Sequence, residues 1–437
     1  MNRFNAFSLV SAATLAAGLA GLAGLAGLAV LGPSVAAAAQ PPVQADVARS
    51  SWVSSWFASP QPLWEDSFVL PTEMPAELRG QTLRQTLMLS VGGPRLRVVL
   101  SNRYGTQPLE IGAASVALAS GQSRIRPASS RGLAFGGRPS VTVAPGAQVV
   151  SDPVDLPVSA LAELAVSLYF PQATPVTTFH WGAQQTGALV RGNATAAAEL
   201  PEAQALQGRA FLAGIWVESP KRVPVVVAFG DSLTDGNGST PGANRRWPDF
   251  LARRLAPQGM GVANAGISGA RVWGDKMGVN AMARFDADVL SQPGVRTVVM
   301  MLGINDIGWP DSGFAPDDAP MTAARLTEGY RQLAEAARLR GVRIVGGTIA
   351  PYEGSLHGTP LSGHYNPAKD AVRREVNRWI RESGVFDAVV DFDAVLRDPA
   401  HPARLLPAYD SGDNLHPNDA GYQAMAQALD MATLFGD

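Results

Sequence analysis

The stretch VVVAFGDSLTDG, residues 225–236, decides the fold predicted for the carboxyl-terminal half of this chain. Its uninterrupted apolar run, 225–229, predicts a strand that is buried on both faces of a sheet. Because glycine and aspartate end the run abruptly, Ser232 is expected at the carboxyl end of that strand. Ligands bind at this end in open α/β sheets, so Ser232 is a candidate for chemistry. The alternative is that its hydroxyl only caps the following helix.

The chain behind this strand alternates between short apolar runs and amphipathic stretches. Further strands are predicted at 261–265, 296–302, 342–349 and 388–392. Helices are predicted at 246–255, 281–290, 322–340 and 366–383, and from Pro417 onward. This alternation predicts a parallel sheet with helices on both faces, in an α/β domain over residues 220–437.

The amino-terminal half has a different pattern. Between residues 51 and 219, short Val-rich or alternating runs such as 82–91 and 164–170 are separated by Gly, Pro, Asn and Ser. Such spacing is typical of an all-β sandwich or jelly roll. The sequence PKRVP at 220–224 is expected to link the two domains.

Residues 1–39 have the order of a secretory signal peptide. One basic residue, Arg3, is followed by a long Ala, Leu and Gly run and then by small residues, with cleavage expected after Ala39. A membrane anchor is the alternative, since the run is long enough to span a bilayer. The predominance of Ala and Gly favours the signal peptide. We therefore expect a tether at 40–50, a periplasmic or extracellular location, and no stable membrane insertion after cleavage.

Composition argues against several classes of partner. The formal net charge is −2 and no basic run stands out, so nucleic acid is not an expected partner. The absence of cysteine excludes disulfides and thiolate metal sites. His357 and His364 share a loop but lack an identifiable third ligand, so no metal is expected. The third glycine of a possible dinucleotide loop at 236–242 comes one residue late and no acidic partner is evident, so no cofactor is expected either.

A second polar cluster, DNLHP at 413–417, supplies the partners that a serine nucleophile needs. An activated serine requires an imidazole within hydrogen-bond reach and a carboxylate that orients the imidazole. Pro417 is expected to begin a helix, which would put His416 at the helix start with Asp413 in the same loop. The G-x-S-x-G turn of α/β-hydrolases is absent around Ser232, which indicates another serine hydrolase scaffold.

Two further loops supply donors for the oxyanion of an acyl transfer. NAGISG at 264–269 follows the second predicted strand of the sheet, and GIND at 303–306 follows the third. Because both loops are expected at the carboxyl ends of parallel strands, they are predicted to lie beside Ser232.

The four blocks GDSLTDG, NAGISG, GIND and DNLHP resemble, in this order, the signature blocks of the SGNH or GDSL hydrolases. The resemblance covers residues 230–417 and implies a flavodoxin-like three-layer α/β/α fold with esterase or lipase activity. It implies that Ser232 is the nucleophile, His416 the general base and Asp413 the acid that orients the base. The N–H groups of Ser232 and Gly269 and the side-chain amide of Asn305 are implied to form the oxyanion hole.

The amino-terminal half is similar to the β-domain of exported two-domain members that are grouped with arylesterases and acetyl xylan esterases. The similarity lies in 52–60, in RLRVVLSNRYG at 95–105 and in SDP at 151–153. It leads us to predict a serine esterase acting on acetyl or other short acyl esters, either of small molecules or of polysaccharide. A broad aryl or short-chain carboxylesterase or lipase is the near alternative, and an inactive carbohydrate-binding protein is the alternative of another class.

Three aromatic residues near the blocks are candidates for the substrate pocket. Trp273 and Trp309 follow the second and third blocks, and Tyr352 follows the fourth predicted strand. Pockets for small molecules are lined mainly by apolar and aromatic side chains, which favours this role. Ordinary core packing is the alternative for both tryptophans.

Overall fold

Two regions of different architecture make up the described part of the protein. The computed structural model describes residues 51–65, 67–359 and 361–436. The predicted signal peptide and tether lie outside these residues. Within these ranges no helix is long and apolar enough to cross a membrane. Both regions belong to one unit, Ala48–Asp437, so the predicted boundary between 219 and 220 stays a prediction.

The amino-terminal region consists of antiparallel strands, as its sequence pattern predicts. They are β1 (Ser51–Phe57), β2 (Gln61–Pro62), β3 (Glu77–Leu78), β4 (Gln81–Met88), β5 (Leu96–Ser101), β6 (Leu109–Ile111), β7 (Ala113–Leu118), β8 (Arg131–Gly132), β9 (Val141–Val143), β10 (Gln148–Val150), β11 (Glu163–Phe170), β12 (Thr174–Pro175), β13 (Thr178–His180), β14 (Thr186–Arg191), β15 (Gln204–Gln207), β16 (Arg209–Ala210) and β17 (Leu212–Ser219). A 3₁₀ turn, Pro127–Ser129, precedes β8.

Two larger sheets carry most of this region. One has the strand order β1-β17-β5-β10 and the other the order β15-β14-β4-β11-β7-β8. β4 and β11 are buried along almost their whole length, and Leu83 and Leu87 of β4 lie directly opposite Leu168 and Leu164 of β11. All four leucines are almost completely buried, and such burial stabilises a fold by about 1.5–3 kcal/mol per side chain.

The carboxyl-terminal region is an α/β structure around a parallel sheet. Its strands are β18 (Val225–Gly230), β19 (Gly261–Gly266), β20 (Val295–Met301), β21 (Arg343–Gly347) and β22 (Ala388–Val390). Its helices are α1 (Ser232–Asp235), α2 (Trp247–Leu255), α3 (Ala281–Phe285), α4 (Ile304–Gly308), α5 (Ala323–Leu339), α6 (Pro367–Glu382), α7 (Phe392–Leu396), α8 (Asp419–Gln427) and α9 (Met431–Phe435). Two 3₁₀ turns, Ala256–Gln258 and Ser362–His364, and a π-helical segment, Asp286–Leu290, complete it.

The strand order of this sheet is β19-β18-β20-β21-β22, which is the flavodoxin-like order. Successive residues of β18 face opposite sides: Val227 packs with Leu326 of α5, whereas Val226 packs in the cluster of Trp247 of α2 and Tyr422 of α8. Helices therefore cover both faces, and the three-layer prediction is confirmed. From β18 the chain adds β19 on one side and then β20 on the other, so the strand order reverses between β18 and β20 although the two strands are parallel. Ligands bind in such sheets at that switch point.

One predicted helix start is wrong, and it matters for the site. The last long helix begins at Asp419 and not at Pro417, because the side chain of Asn418 accepts the N–H groups of Ala420 and Gly421 and caps it. Pro417 instead pairs with Asp410 as an isolated β-bridge. His416 thus lies in a bend ahead of the helix. Similarly, β22 ends before the predicted residue 392, since Asp391 caps α7.

Candidate active site

Ser232 follows the inner strand β18, with only Asp231 between them. Asp231 caps the short helix α1, accepting the N–H of Leu233 at 3.1 Å, so the capping role that Ser232 could have had is taken by its neighbour. Ser232 is the first residue of α1 and is only 5% exposed. Its hydroxyl is therefore available for another partner.

That partner is His416. Its Nε2 lies 2.8 Å from the Ser232 Oγ, although 184 positions separate the two residues. On the other side of the ring, Nδ1 lies 2.6 Å from Oδ2 of Asp413. The three side chains form one hydrogen-bonded row at the carboxyl edge of the sheet.

The loop around Asp413 determines the protonation of this row. Its Oδ1 accepts the N–H groups of Leu415 and His416 at 2.9 and 2.8 Å. Burial acts to raise the pKa of Asp413, but the hydrogen bond and charge of His416 and these two N–H groups outweigh it and hold the pKa well below its usual range. An ionised carboxylate only accepts hydrogen bonds, so Nδ1 of His416 carries its proton towards Asp413 and Nε2 faces the serine as an acceptor.

Asp410, the other carboxylate of this loop, has a different role. Its Oδ1 accepts the N–H groups of Gly412 and Asn414 at 2.9 and 3.0 Å, and so shapes the loop. The imidazole ring of His416 is hydrogen-bonded to Asp413 and not to Asp410.

The predicted oxyanion donors border the same cavity as Ser232 and His416. Gly269 has a φ of +75°, and a Cβ there would come within 2.5 Å of Met277 Sδ, so this position requires glycine. Asn305 belongs to α4, and its Nδ2 donates to the carbonyl of Ala270 at 3.1 Å. A primary amide has two N–H groups, which leaves the second for a ligand.

Asp306 ties the loop after Gly269 to α4. Its carboxylate accepts the N–H of Val272 at 3.0 and 2.8 Å and that of Trp273 at 3.1 Å. Burial raises the pKa of Asp306 to about 6, although these N–H groups oppose the shift. The role of Asp306 is thus to fix the backbone of this loop through hydrogen bonds.

The cavity beside Ser232 has a volume of about 160 Å³. Most of its lining is apolar or aromatic, and the residues are Leu70, Trp181, Ser232, Asn237, Ser268, Gly269, Met277, Asn305, Trp309, Phe314, Leu356, Leu361, His364, Leu415 and His416. Trp309 is stacked on Phe314, with ring centres 4.7 Å apart. The volume is close to the ~150 Å³ that holds a benzene ring in an engineered protein cavity.

The two other predicted pocket residues lie elsewhere. Trp273 donates its indole N–H to the carbonyl of Arg325 at 2.9 Å and does not border the cavity. Tyr352 is completely buried behind the cavity wall, with its ring edge-on to His364 at 5.5 Å between centres. The structure thus brings Trp309, but not Trp273 or Tyr352, to the nucleophile.

Sequence reasoning missed the contribution of the amino-terminal region to this cavity. Leu70 and Trp181 border it, and both come from the β-rich half. The side chain of Gln61 accepts the N–H of Trp181 at 2.7 Å and donates to the carbonyl of Met277 at 2.6 Å, which joins the two regions at the cavity wall. No motif accompanies these residues, so only the tertiary contacts reveal them.

His364, considered above as a metal ligand, also borders the cavity. It is buried, its Nδ1 lies 3.0 Å from Ser355 Oγ, and burial lowers its pKa to about 3. It is therefore a neutral part of the wall. Among the described residues no group of three or more His, Cys, Asp or Glu side chains could hold a metal ion.

A flavodoxin-like sheet whose switch point carries a buried serine, a histidine and a carboxylate in one hydrogen-bonded row has the geometry of a serine hydrolase. Residues 226–429 match the model of the GDSL-like Lipase/Acylhydrolase family, and the chain carries a domain of that family. By class, this domain is a carboxylic ester hydrolase.

Several solved structures are similar to this chain. They include a carbohydrate acetylesterase family member from Sinorhizobium meliloti (19% identity, 49% of this chain and 100% of that chain, TM-score 0.37). Others are a GDSL-like lipase from Bacteroides thetaiotaomicron (17%, 49% and 89%, TM-score 0.36) and an acetyl xylan esterase (20%, 47% and 96%, TM-score 0.34). A comparison with curated proteins found no match.

Proposed function

We propose that this protein hydrolyses esters of short carboxylic acids through an acyl-enzyme on Ser232. The observation that carries the proposal is the row Asp413–His416–Ser232, with contacts of 2.6 and 2.8 Å, at the mouth of an apolar cavity. Such a row activates a serine because the histidine accepts the hydroxyl proton while the carboxylate stabilises the imidazolium that forms.

In the first half of the reaction, Ser232 Oγ attacks the ester carbonyl carbon and its proton passes to Nε2 of His416. The carbonyl π-electrons move to oxygen, and the N–H groups of Ser232 and Gly269 and the amide of Asn305 stabilise this oxyanion. As the oxyanion collapses, the bond to the alcohol oxygen breaks and His416 donates the proton to the leaving alkoxide. An acyl-enzyme and a free alcohol result.

In the second half, water takes the place of the alcohol. His416 accepts a proton from the water as its oxygen attacks the acyl carbon, and the same donors hold the second oxyanion. Collapse releases the carboxylic acid and returns the proton to Ser232. Apart from the ester and water, only groups of the chain take part in these transfers.

The size and lining of the cavity support a short acyl group. A volume of about 160 Å³ admits a chain of about six carbons, by comparison with the benzene-sized cavity of ~150 Å³. We propose acetyl esters as the main substrates, with acetylated polysaccharide as the natural source, in keeping with the export expected from residues 1–39. A broad aryl or short-chain carboxylesterase would use the same cavity.

The experiment is hydrolysis of p-nitrophenyl acetate, butyrate and octanoate, with acetate release from acetylated xylan measured in parallel. Ser232→Ala should lower kcat by at least about 10⁴-fold, whereas the same change at the exposed Ser120 should leave it unaltered. Activity that survives in Ser232→Ala would refute the mechanism. Activity on the p-nitrophenyl esters without acetate release from xylan would favour the general esterase.

An inactive carbohydrate-binding protein would behave differently. Fluorophosphonates react with activated serines, so the proposed enzyme should be labelled at Ser232 and its Ser232→Ala variant should not. A folded protein that is neither labelled nor active on any ester would favour the binding function.

A further inference from the structure

A buried chain of hydrogen bonds connects the amino-terminal region to the oxyanion loop. Nε2 of His180, at the end of β13, lies 2.9 Å from Oδ1 of Asp235. Oδ2 of Asp235 accepts both the N–H of Ser268 at 2.9 Å and its hydroxyl at 2.7 Å. His180 is 4% exposed, and Asp235 and Ser268 are each 1% exposed.

Asp235 connects the helix of the nucleophile to the loop of the Gly269 oxyanion donor, and catalysis requires a fixed distance between these two groups. It ends α1, the helix that Ser232 begins. Its partner Ser268 directly precedes Gly269, so the peptide between these two residues carries the Gly269 N–H that is proposed as an oxyanion donor. By accepting two hydrogen bonds from Ser268, the Asp235 carboxylate orients this peptide relative to the nucleophile. Oxyanion donors act only when they are aimed at the developing charge.

His180 controls the direction of that carboxylate. Its Nδ1 lies 3.0 Å from the carbonyl of Ser59, which belongs to the amino-terminal region. A carbonyl only accepts, so Nδ1 donates to Ser59, and the ring is fixed between Ser59 and Asp235. His180 is the partner of Oδ1, whereas Ser268 binds Oδ2.

The backbone that follows His180 packs directly against the same group. A Cβ at Gly182 would lie 2.0 Å from Oδ2 of Asp235 and 2.7 Å from the hydroxyl of Ser268. Glycine is required here by the close approach of the two regions. This contact is independent of the hydrogen bonds and indicates the same tight junction.

We propose that His180 is a positioning residue for ester hydrolysis. It holds Asp235 so that the Ser268–Gly269 peptide presents its N–H to the oxyanion. The amino-terminal β-rich region then supports catalysis directly, besides forming a wall of the cavity. This inference rests on the proposed esterase function.

The test compares two substitutions of His180, each of which can keep one of its two hydrogen bonds, either the one to Asp235 or the one to Ser59. His180→Gln places an amide N–H where Nε2 was and can still donate to Asp235. His180→Asn places an amide N–H where Nδ1 was, so it can still donate to the carbonyl of Ser59, but it is too short to form the hydrogen bond to Asp235. We expect His180→Gln to keep kcat for p-nitrophenyl acetate within about threefold, and His180→Asn to lower kcat about 10-fold or more with KM changed less than about twofold, since a lost oxyanion donor costs about 10²–10³-fold.

A purely structural role would affect both variants alike. Equal kcat values for the two variants at equal thermal stability, or a loss confined to KM, would overturn the inference. If His180→Asn does not fold, Gly182→Ala serves as the second variant, because it keeps His180 and displaces Asp235; an unchanged kcat there would also overturn it. Ser232→Ala separates the two levels: if that variant stays active, the proposed function itself fails.

Discussion

The two regions contribute to the same cavity in different ways. The carboxyl-terminal region supplies the candidate reacting groups, Ser232, Asp413 and His416, and each follows or flanks a recognisable element of a parallel sheet. The amino-terminal region supplies Leu70 and Trp181 to the wall, both from loops without any motif. Chemistry is thus encoded locally, whereas the shape around it depends on how the two regions pack.

The largest effect is expected where the carboxyl-terminal region holds its base. Asp413→Asn should lower kcat/KM for p-nitrophenyl acetate by about 10⁴-fold, because an amide can stabilise the wrong tautomer of His416 and cannot stabilise the imidazolium. The matched control is Asp410→Asn in the same loop, whose carboxylate accepts only the N–H groups of Gly412 and Asn414 and should cost less than about 10-fold. Similar losses in both variants would contradict the assignment of Asp413.

The amino-terminal wall should alter selectivity more than rate. In Trp181→Ala we expect the ratio of kcat/KM for octanoate to that for acetate to rise about 10-fold, since about two more buried methylenes contribute about 0.8 kcal/mol each. Trp273→Ala is the control, because Trp273 does not border the cavity. The p-nitrophenyl ester series measures both ratios. If the ratio changed with Trp273→Ala but not with Trp181→Ala, the pocket would be formed by Trp273, as the sequence predicts, and not by Trp181 of the amino-terminal region.

The last effect concerns stability and not catalysis, at the junction of β18 and α1. Burial raises the pKa of Asp231 to about 7, against 3.8 for the exposed group. The folded protein therefore keeps a proton that the unfolded chain loses, so this group's contribution to stability decreases as the pH rises from about 4 to about 7. Asp231→Asn removes this cost and keeps an acceptor for the N–H of Leu233.

Thermal unfolding as a function of pH measures this effect. Asp231→Asn should be more stable than the unsubstituted protein at pH 8, by at most about 4 kcal/mol since each pKa unit corresponds to about 1.4 kcal/mol. The gain should vanish below about pH 3, where both folded and unfolded chains hold the proton. A gain that is the same at both pH values would show that ionisation of Asp231 is not its cause.

The sequence predicted much of the α/β region because its signals are local. The apolar run of β18, the stripe of Leu326, Tyr330 and Leu333 on α5, and the Asn366 cap of α6 each depend on neighbours within a few positions. The predicted start of the last helix was wrong because it depended on one such local signal, the proline at 417. Pro417 is a good first helical residue, but the bridge to Asp410 holds it in an extended strand-like pairing, and Asn418 takes over the cap.

The pocket was harder to predict because its contacts join distant parts of the chain. Trp273 and Trp309 both follow signature blocks, yet only Trp309 borders the cavity, since the indole N–H of Trp273 is directed to α5. His180 lies 55 positions from Asp235, and nothing adjacent to it in the sequence indicates that pairing.

By itself the sequence determined the two architectures and named the residues of the hydrogen-bonded row, because strand periodicity, caps and short blocks act over a few residues. Only the tertiary structure decided which aromatic side chains border the cavity and that His180 meets Asp235. Those outcomes depend on close packing between segments far apart in the chain, where volume and hydrogen-bond geometry select one arrangement among many that the local pattern allows.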